Sequence, residues 1–129
     1  MKIALLNFGR VNNAFGGAEK VFFDMANNLH RLGHQVTAIV HDTHSGSPGF
    51  PIDEQVHYYN CRISFLTNVK SHILRSVVSL FSKQSKKFQI KIDYKFRPRA
   101  PKIQKVLDKE KPEVIITFHP NETFYKKVP

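Results

Sequence analysis

Apolar and polar positions fall into blocks along this chain, and the period within each block changes. Lys2–Phe8 (KIALLNF) is a short, nearly continuous apolar run, the pattern of a strand covered on both faces. From Ala18 to Leu32 the apolar residues Ala18, Val21, Phe22, Met25, Ala26, Leu29 and Leu32 follow helical spacing, and Gly33 stands where a helix-ending glycine belongs. Gln35–His41 (QVTAIVH) is β-branched and apolar and predicts a second strand. Gly46, Pro48, Gly49 and Pro51 make Asp42–Asp53 a loop. Val56–Cys61 is a weaker strand signal. Leu66, Val69, Ile73, Val77, Leu80 and Phe81 predict a second amphipathic helix from Phe65 to Ser85, with Phe65 and Phe81 read as core. A third helix spans Pro101–Lys111, opened by a proline that a first turn tolerates and stopped by Pro112. Glu113–Phe118 (EVIITF) is a fourth strand, followed by the loop His119–Glu122.

Strands alternating with helices predict an α/β fold, an open parallel sheet of about four strands flanked by helices. Ligands of such sheets bind beyond the carboxyl ends of the strands. That edge gathers Phe8–Gly17, His41–His44 and His119–Glu122. The 129 residues suit one domain, 1–129, and no internal repeat is visible.

Charge adds a second division. Up to Asn60 the chain has 4 basic and 5 acidic residues, and from Cys61 on it has 16 basic and 5 acidic. Within Arg62–Lys105, 12 basic residues face only Asp93. Between residues 82 and 101, Lys83, Lys86, Lys87, Lys91, Lys95, Arg97 and Arg99 alternate with Phe88, Ile90, Ile92, Tyr94 and Phe96, as a basic loop or arm. Three readings stay open: an anionic membrane surface, a nucleic-acid surface, or a solvated face without a partner. No known nucleic-acid motif accompanies the stretch. No apolar run reaches the roughly 20 residues needed to span a bilayer, and Ile3–Phe8 is too short for a signal-peptide core. The single Cys61 excludes an intrachain disulfide and a cysteine-rich zinc site. These features point to a cytoplasmic protein, at the inner face of a membrane where the basic surface is used.

The turn before the first helix carries the first chemistry. Gly16 and Gly17 open that helix, and bare backbone N–H groups at a helix start attract anions. The alternative is a plain turn that needs glycine dihedrals. The spacing is not the dinucleotide fingerprint, because a loop of about ten residues separates strand and glycines. Glu19, in the first helical turn, has a structural reason to be there. There is no G-x-S-x-G sequence and no phosphate loop ending in G-K-[ST]. His41, Asp42 and His44 form H-D-x-H, which is not a known metal-ligand spacing; the polar-loop reading is preferred, with no metal expected.

Gly16-Gly17-Ala18-Glu19, then Leu32-Gly33-His34-Gln35-Val36, then Lys111–Ile116 followed by Phe118-His119 together resemble the N-terminal half of GT-B glycosyltransferases, nearest to the retaining family 4. The resemblance covers roughly the first 42 and last 30 residues. It implies the Rossmann-like acceptor-side domain of an enzyme that moves a sugar from a nucleotide-sugar to a polysaccharide or lipid-linked acceptor. No cofactor beyond the donor substrate is implied. Gly16, Gly17 and Glu19 would meet donor or acceptor, His119 would orient or activate a hydroxyl as the catalytic residue, and Asn121 and Glu122 would assist. The family's second Rossmann-like domain, with its spaced glutamates, has no counterpart here, so the chain reads as an N-terminal piece inactive alone. Its open sheet edges would allow a homodimer. The reading from a different class is a non-catalytic Rossmann-like module that binds nucleic acid or anionic membrane through its basic surface.

Overall fold

The computed structural model describes residues 1–81 and 98–118. In chain order the elements are β1 (Lys2–Asn7), α1 (Gly17–Arg31), β2 (Gln35–Val40), β3 (His57–Asn60), α2 (Phe65–Leu80), α3 (Ala100–Glu110) and β4 (Val114–Thr117). The strands form one sheet in the order β3-β2-β1-β4, every pair parallel. The α/β expectation is met, and all four carboxyl ends lie on one edge.

Register explains the apolar runs. Ile3 pairs with Val36 and Leu5 with Ala38, so these residues share one face with Val40. Phe22, Phe23 and Ala26 of α1 pack on that face. Ala4, Leu6 and Ile39 point the other way, onto Ile103 and Leu107 of α3 and the buried Cys61. β1 and β2 are inner strands covered on both sides, whereas β3 and β4 flank them and are partly open. Only inner strands need a continuous apolar run, which is why Val56–Cys61 reads weakly in the sequence.

Two helices depart from their sequence patterns. In α1 the buried face is centred on Phe22 and Phe23; Val21 and Leu32, counted in the expected apolar stripe, are exposed. Phe22 and Phe23 meet edge to face at 5.2 Å, and Phe22 meets Phe118 at 5.1 Å, so the rings choose the face. The helix ends where expected: Gly33, at φ +86°, donates to His30 O, and His34 N donates to Leu29 O. This paired closure satisfies two terminal carbonyls and favours a glycine at the left-handed position.

α2 is a helix as predicted, but it stops at Leu80 and its stripe is not core. Leu66, Ile73, Val77 and Leu80 are between 50% and 81% exposed, and Phe81 is exposed as well. The core reading of Phe81 is therefore overturned; the side chain of Phe65 lies outside the described residues. The Ser64 hydroxyl accepts the Thr67 N–H at 3.3 Å and starts the helix.

Candidate functional site

The carboxyl edge is built from two loops locked together. The loop after β1 runs back along the loop after β2: Asn13 N donates to Ser47 O at 3.1 Å, Gly49 N to Val11 O at 3.0 Å, and Asn12 Nδ2 to His44 O at 2.9 Å. At their junction lies Asp42, whose side chain is fully buried. Its Oδ2 accepts the N–H groups of Val11 (2.7 Å) and Asn12 (2.6 Å). Its Oδ1 accepts the N–H of His44 (2.8 Å) and hydrogen-bonds the His44 Nδ1 (2.7 Å). Asn60, at the end of β3, holds the Asp42 backbone on both sides, accepting its N–H and donating to its carbonyl. Burial pushes the Asp42 carboxyl up, but the hydrogen bonds from Asn12, His44 and Val11 outweigh it and leave the pKa below the ordinary carboxylate value.

Beside this junction is a pocket of about 180 Å³, lined by Phe8, Gly9, Arg10, His41, Asp42, Thr43, His44 and Arg99. β1 and β2 deliver its floor, and the residue preceding α3 closes one wall. His41 is 4% exposed, and its Nε2 is buried with no hydrogen-bond partner among the described residues. Burial, then the nearby Arg99 guanidinium, lowers the His41 pKa to about 4, so its ring is neutral at physiological pH. Arg99 is also buried, at 8% exposure.

The glycine turn stands apart from this pocket. Neither Gly16 nor Gly17 lines it. Gly16 has φ −81° and ψ 170°, extended backbone open to any residue, and Gly17 is the first helical residue. Neither has a positive φ, so the dihedral explanation for the pair does not hold. A Cβ at Gly16 would run into the Glu19 carboxylate, which folds back over the helix start; one at Gly17 would meet open space. The first turn of α1 is thus uncovered at Gly17, with Phe15 exposed beside it and edge-on to Phe50.

The remaining sequence-derived candidates divide cleanly. His119, Asn121, Glu122, Lys83, Lys86, Lys87, Lys91, Lys95 and Arg97 lie outside the described residues. Arg99 is described, and it is inside the pocket wall instead of on an open basic face. Sequence reading took His41–His44 for a polar loop and gave no role to Arg10. The available signal was H-D-x-H at the end of an apolar strand, where Asp42 turned out to anchor the neighbouring loop.

A parallel α/β half with its loops gathered at the carboxyl edge is the architecture of glycosyltransferase N-terminal domains, and that is the class of this chain. Residues 20–127 match the model of the family described as monogalactosyldiacylglycerol (MGDG) synthase, and the chain belongs to that family. The match supports the glycosyltransferase domain without being specific to family 4. No curated protein and no solved structure matches the chain significantly. No helix among the described residues is long and apolar enough to cross a membrane.

Proposed function

We propose that this domain serves the acceptor side of a transferase that moves a sugar, galactose by the family's description, from a nucleotide-sugar to a lipid of the diacylglycerol type. It would do so docked on an anionic membrane surface. The observation that carries this reading is α2. An amphipathic helix with an exposed apolar stripe, Lys70 and Arg75 as its cations and no acidic residue fits the plane of a lipid interface. Apart from the buried Arg99, the basic residues of Arg62–Lys105 supply attraction to anionic headgroups, each worth about 1 kcal/mol near such a surface. A lipid acceptor gives that docking a purpose, because it must be met at the interface.

In this reading Gly16 and Gly17 approach donor or acceptor backbone-first at the start of α1. His119 orients or activates the acceptor hydroxyl, with Asn121 and Glu122 beside it. A second Rossmann-like domain, in the GT-B manner, would hold the nucleotide. Rate would come from positioning and from stabilising the departing diphosphate. Retention of anomeric configuration is the expectation from the family 4 likeness, and the anomer of the product, read by NMR, decides it.

Flotation of the protein with phosphatidylcholine vesicles, with and without phosphatidylserine, tests the docking. Binding that needs the anionic lipid, falls with salt and is lost in Ile73→Glu is the expected result. The control is Val21→Glu, an equally exposed apolar position on α1, which should still float. Equal flotation of wild type and Ile73→Glu would sink the α2 reading. Salt-sensitive binding to nucleic acid without vesicle binding would favour the polyanion module instead.

A further inference from the structure

We propose that His44 takes the proton of the acceptor hydroxyl and that Asp42 holds its ring for that task. The substrate named here rests on the transferase reading above; the pairing of the two side chains does not.

Asp42 uses its two carboxylate oxygens differently. Oδ2 takes the Val11 and Asn12 N–H groups and joins the two loops. Oδ1 is given to His44, accepting its backbone N–H at 2.8 Å and meeting its Nδ1 at 2.7 Å. Joining the loops needs only the first oxygen; the second fixes a histidine. The Asp42 carboxyl is held below the ordinary carboxylate range, so it is ionised and can only accept. Nδ1 must therefore be the donor, and the neutral ring keeps its lone pair on Nε2. The Asp42 side chain is 1% exposed and that of His44 52%. With Nδ1 turned inward onto a buried carboxylate, the open part of the ring is the part that carries Nε2. No described residue hydrogen-bonds that atom. A carboxylate that orients an imidazole and leaves its far nitrogen free is the arrangement of a general base.

The ring is also held through its backbone. The His44 N–H is taken by Asp42 and its carbonyl accepts the Asn12 Nδ2 at 2.9 Å. His44 follows β2 at the carboxyl edge, where ligands of parallel sheets bind, and lines the pocket of about 180 Å³. Pockets for whole drug-sized molecules start near about 300 Å³. The hydroxyl end of a glycerolipid fits, with its acyl chains outside. A second pair shows what position adds. His57 Nδ1 meets the buried Glu110 carboxylate at 2.9 Å, and its side chain is as open as that of His44. His57 begins β3, however, and so stands at the amino edge of the sheet.

The step balances. The acceptor oxygen bonds to the anomeric carbon while the bond from that carbon to the donor diphosphate breaks, and its electron pair leaves with the diphosphate. The hydroxyl proton passes to Nε2, and Asp42 stabilises the imidazolium that forms. Both Asp42 oxygens are engaged within the protein, so Asp42 acts through the ring, as a positioning residue. His119 keeps the orienting part of its role.

The test is NMR of the ring nitrogens during titration with dihexanoylglycerol, a short-chain diacylglycerol. The neutral His44 ring should show the Nδ1–H tautomer, and its Nε2 signal should move saturably as the hydroxyl donates to it. The His57 signals should stay fixed. His44→Ala should weaken binding about three- to tenfold, the worth of one hydrogen bond, and His57→Ala should not. An Nε2–H tautomer at His44, or equal movement at His57, would overturn the proposal. A fixed His44 signal with moving Gly16 and Gly17 amides would defeat the role of His44 and leave the transferase reading standing. If neither moves, the acceptor reading of this edge falls and the role of His44 falls with it.

Discussion

Asp42 accepts the backbone N–H of Asn12 at 2.6 Å, joining the end of β2 to a loop 30 residues earlier in the chain. With the bond to Val11, one carboxylate oxygen fixes the path of the β1 loop. Asp42→Asn would place an amide donor against donors and remove the charge that strengthens them. We expect a loss of about 2–4 kcal/mol in urea unfolding. A loss under about 0.5 kcal/mol would mean that the loops hold each other without it.

Acid should unfold the protein in two stages. The His41 pKa is lowered from 6.5 to about 4, so the unfolded chain takes up that proton more readily than the folded one. Stability from this group is complete above pH 6.5 and is lost as pH falls towards 4, in total about 3 kcal/mol. Asp42 and Glu110 both have depressed pKa values. The main cause for Glu110 is the hydrogen bond from the Tyr59 hydroxyl, at 2.6 Å. Their contributions are present above the ordinary carboxylate range and vanish below it. Unfolding followed against pH should therefore show a first decline that His41→Gln abolishes and a second, lower one that it leaves.

Apolar residues of equal hydrophobicity should behave in opposite ways in the two large helices. Phe22→Ala removes a fully buried ring and should cost about 3–5 kcal/mol. Ile73→Ser, on the exposed stripe of α2, should change stability by less than about 0.5 kcal/mol. Chemical denaturation of both variants checks the pair; a large loss from Ile73→Ser would show that the stripe is covered.

Lys111 ends α3 in the left-handed conformation, at φ 48°, and donates its N–H to Leu107 O. A side chain is disfavoured there by roughly 1–2 kcal/mol, offset in part by the greater freedom of glycine when unfolded. Lys111→Gly should raise the midpoint of thermal unfolding by a few degrees, equivalent to about 0.5–1 kcal/mol.

The sheet was legible because its inner strands are covered on both sides and so are apolar at nearly every buried position; Ile3–Leu6 and Val36–Val40, with Thr37 as the one polar residue in them, announce themselves. The helix ends were legible through Gly33 and Pro112. Which face of α1 is buried was not, since Val21 and Phe23 are one residue from the same boundary and ring packing decided between them. The α2 stripe has the period of a core helix, and periodicity cannot say whether a partner element, a lipid or water covers it. The pocket escaped because its parts lie at Arg10, His41 and Arg99, far apart in sequence, and each taken alone is an ordinary polar residue.

The clasp between the two carboxyl-edge loops has a thermodynamic consequence for any ligand that arrives there. A loop of this length left free would have to be ordered on binding, and affinity would be reduced accordingly. Here the ordering entropy is already charged to folding, through Asp42, Asn12 and the Gly49–Val11 bond. Substitutions that loosen the clasp should thus weaken binding through conformational freedom even where they touch no ligand, and their effect should appear as an entropy loss with the contacts unchanged.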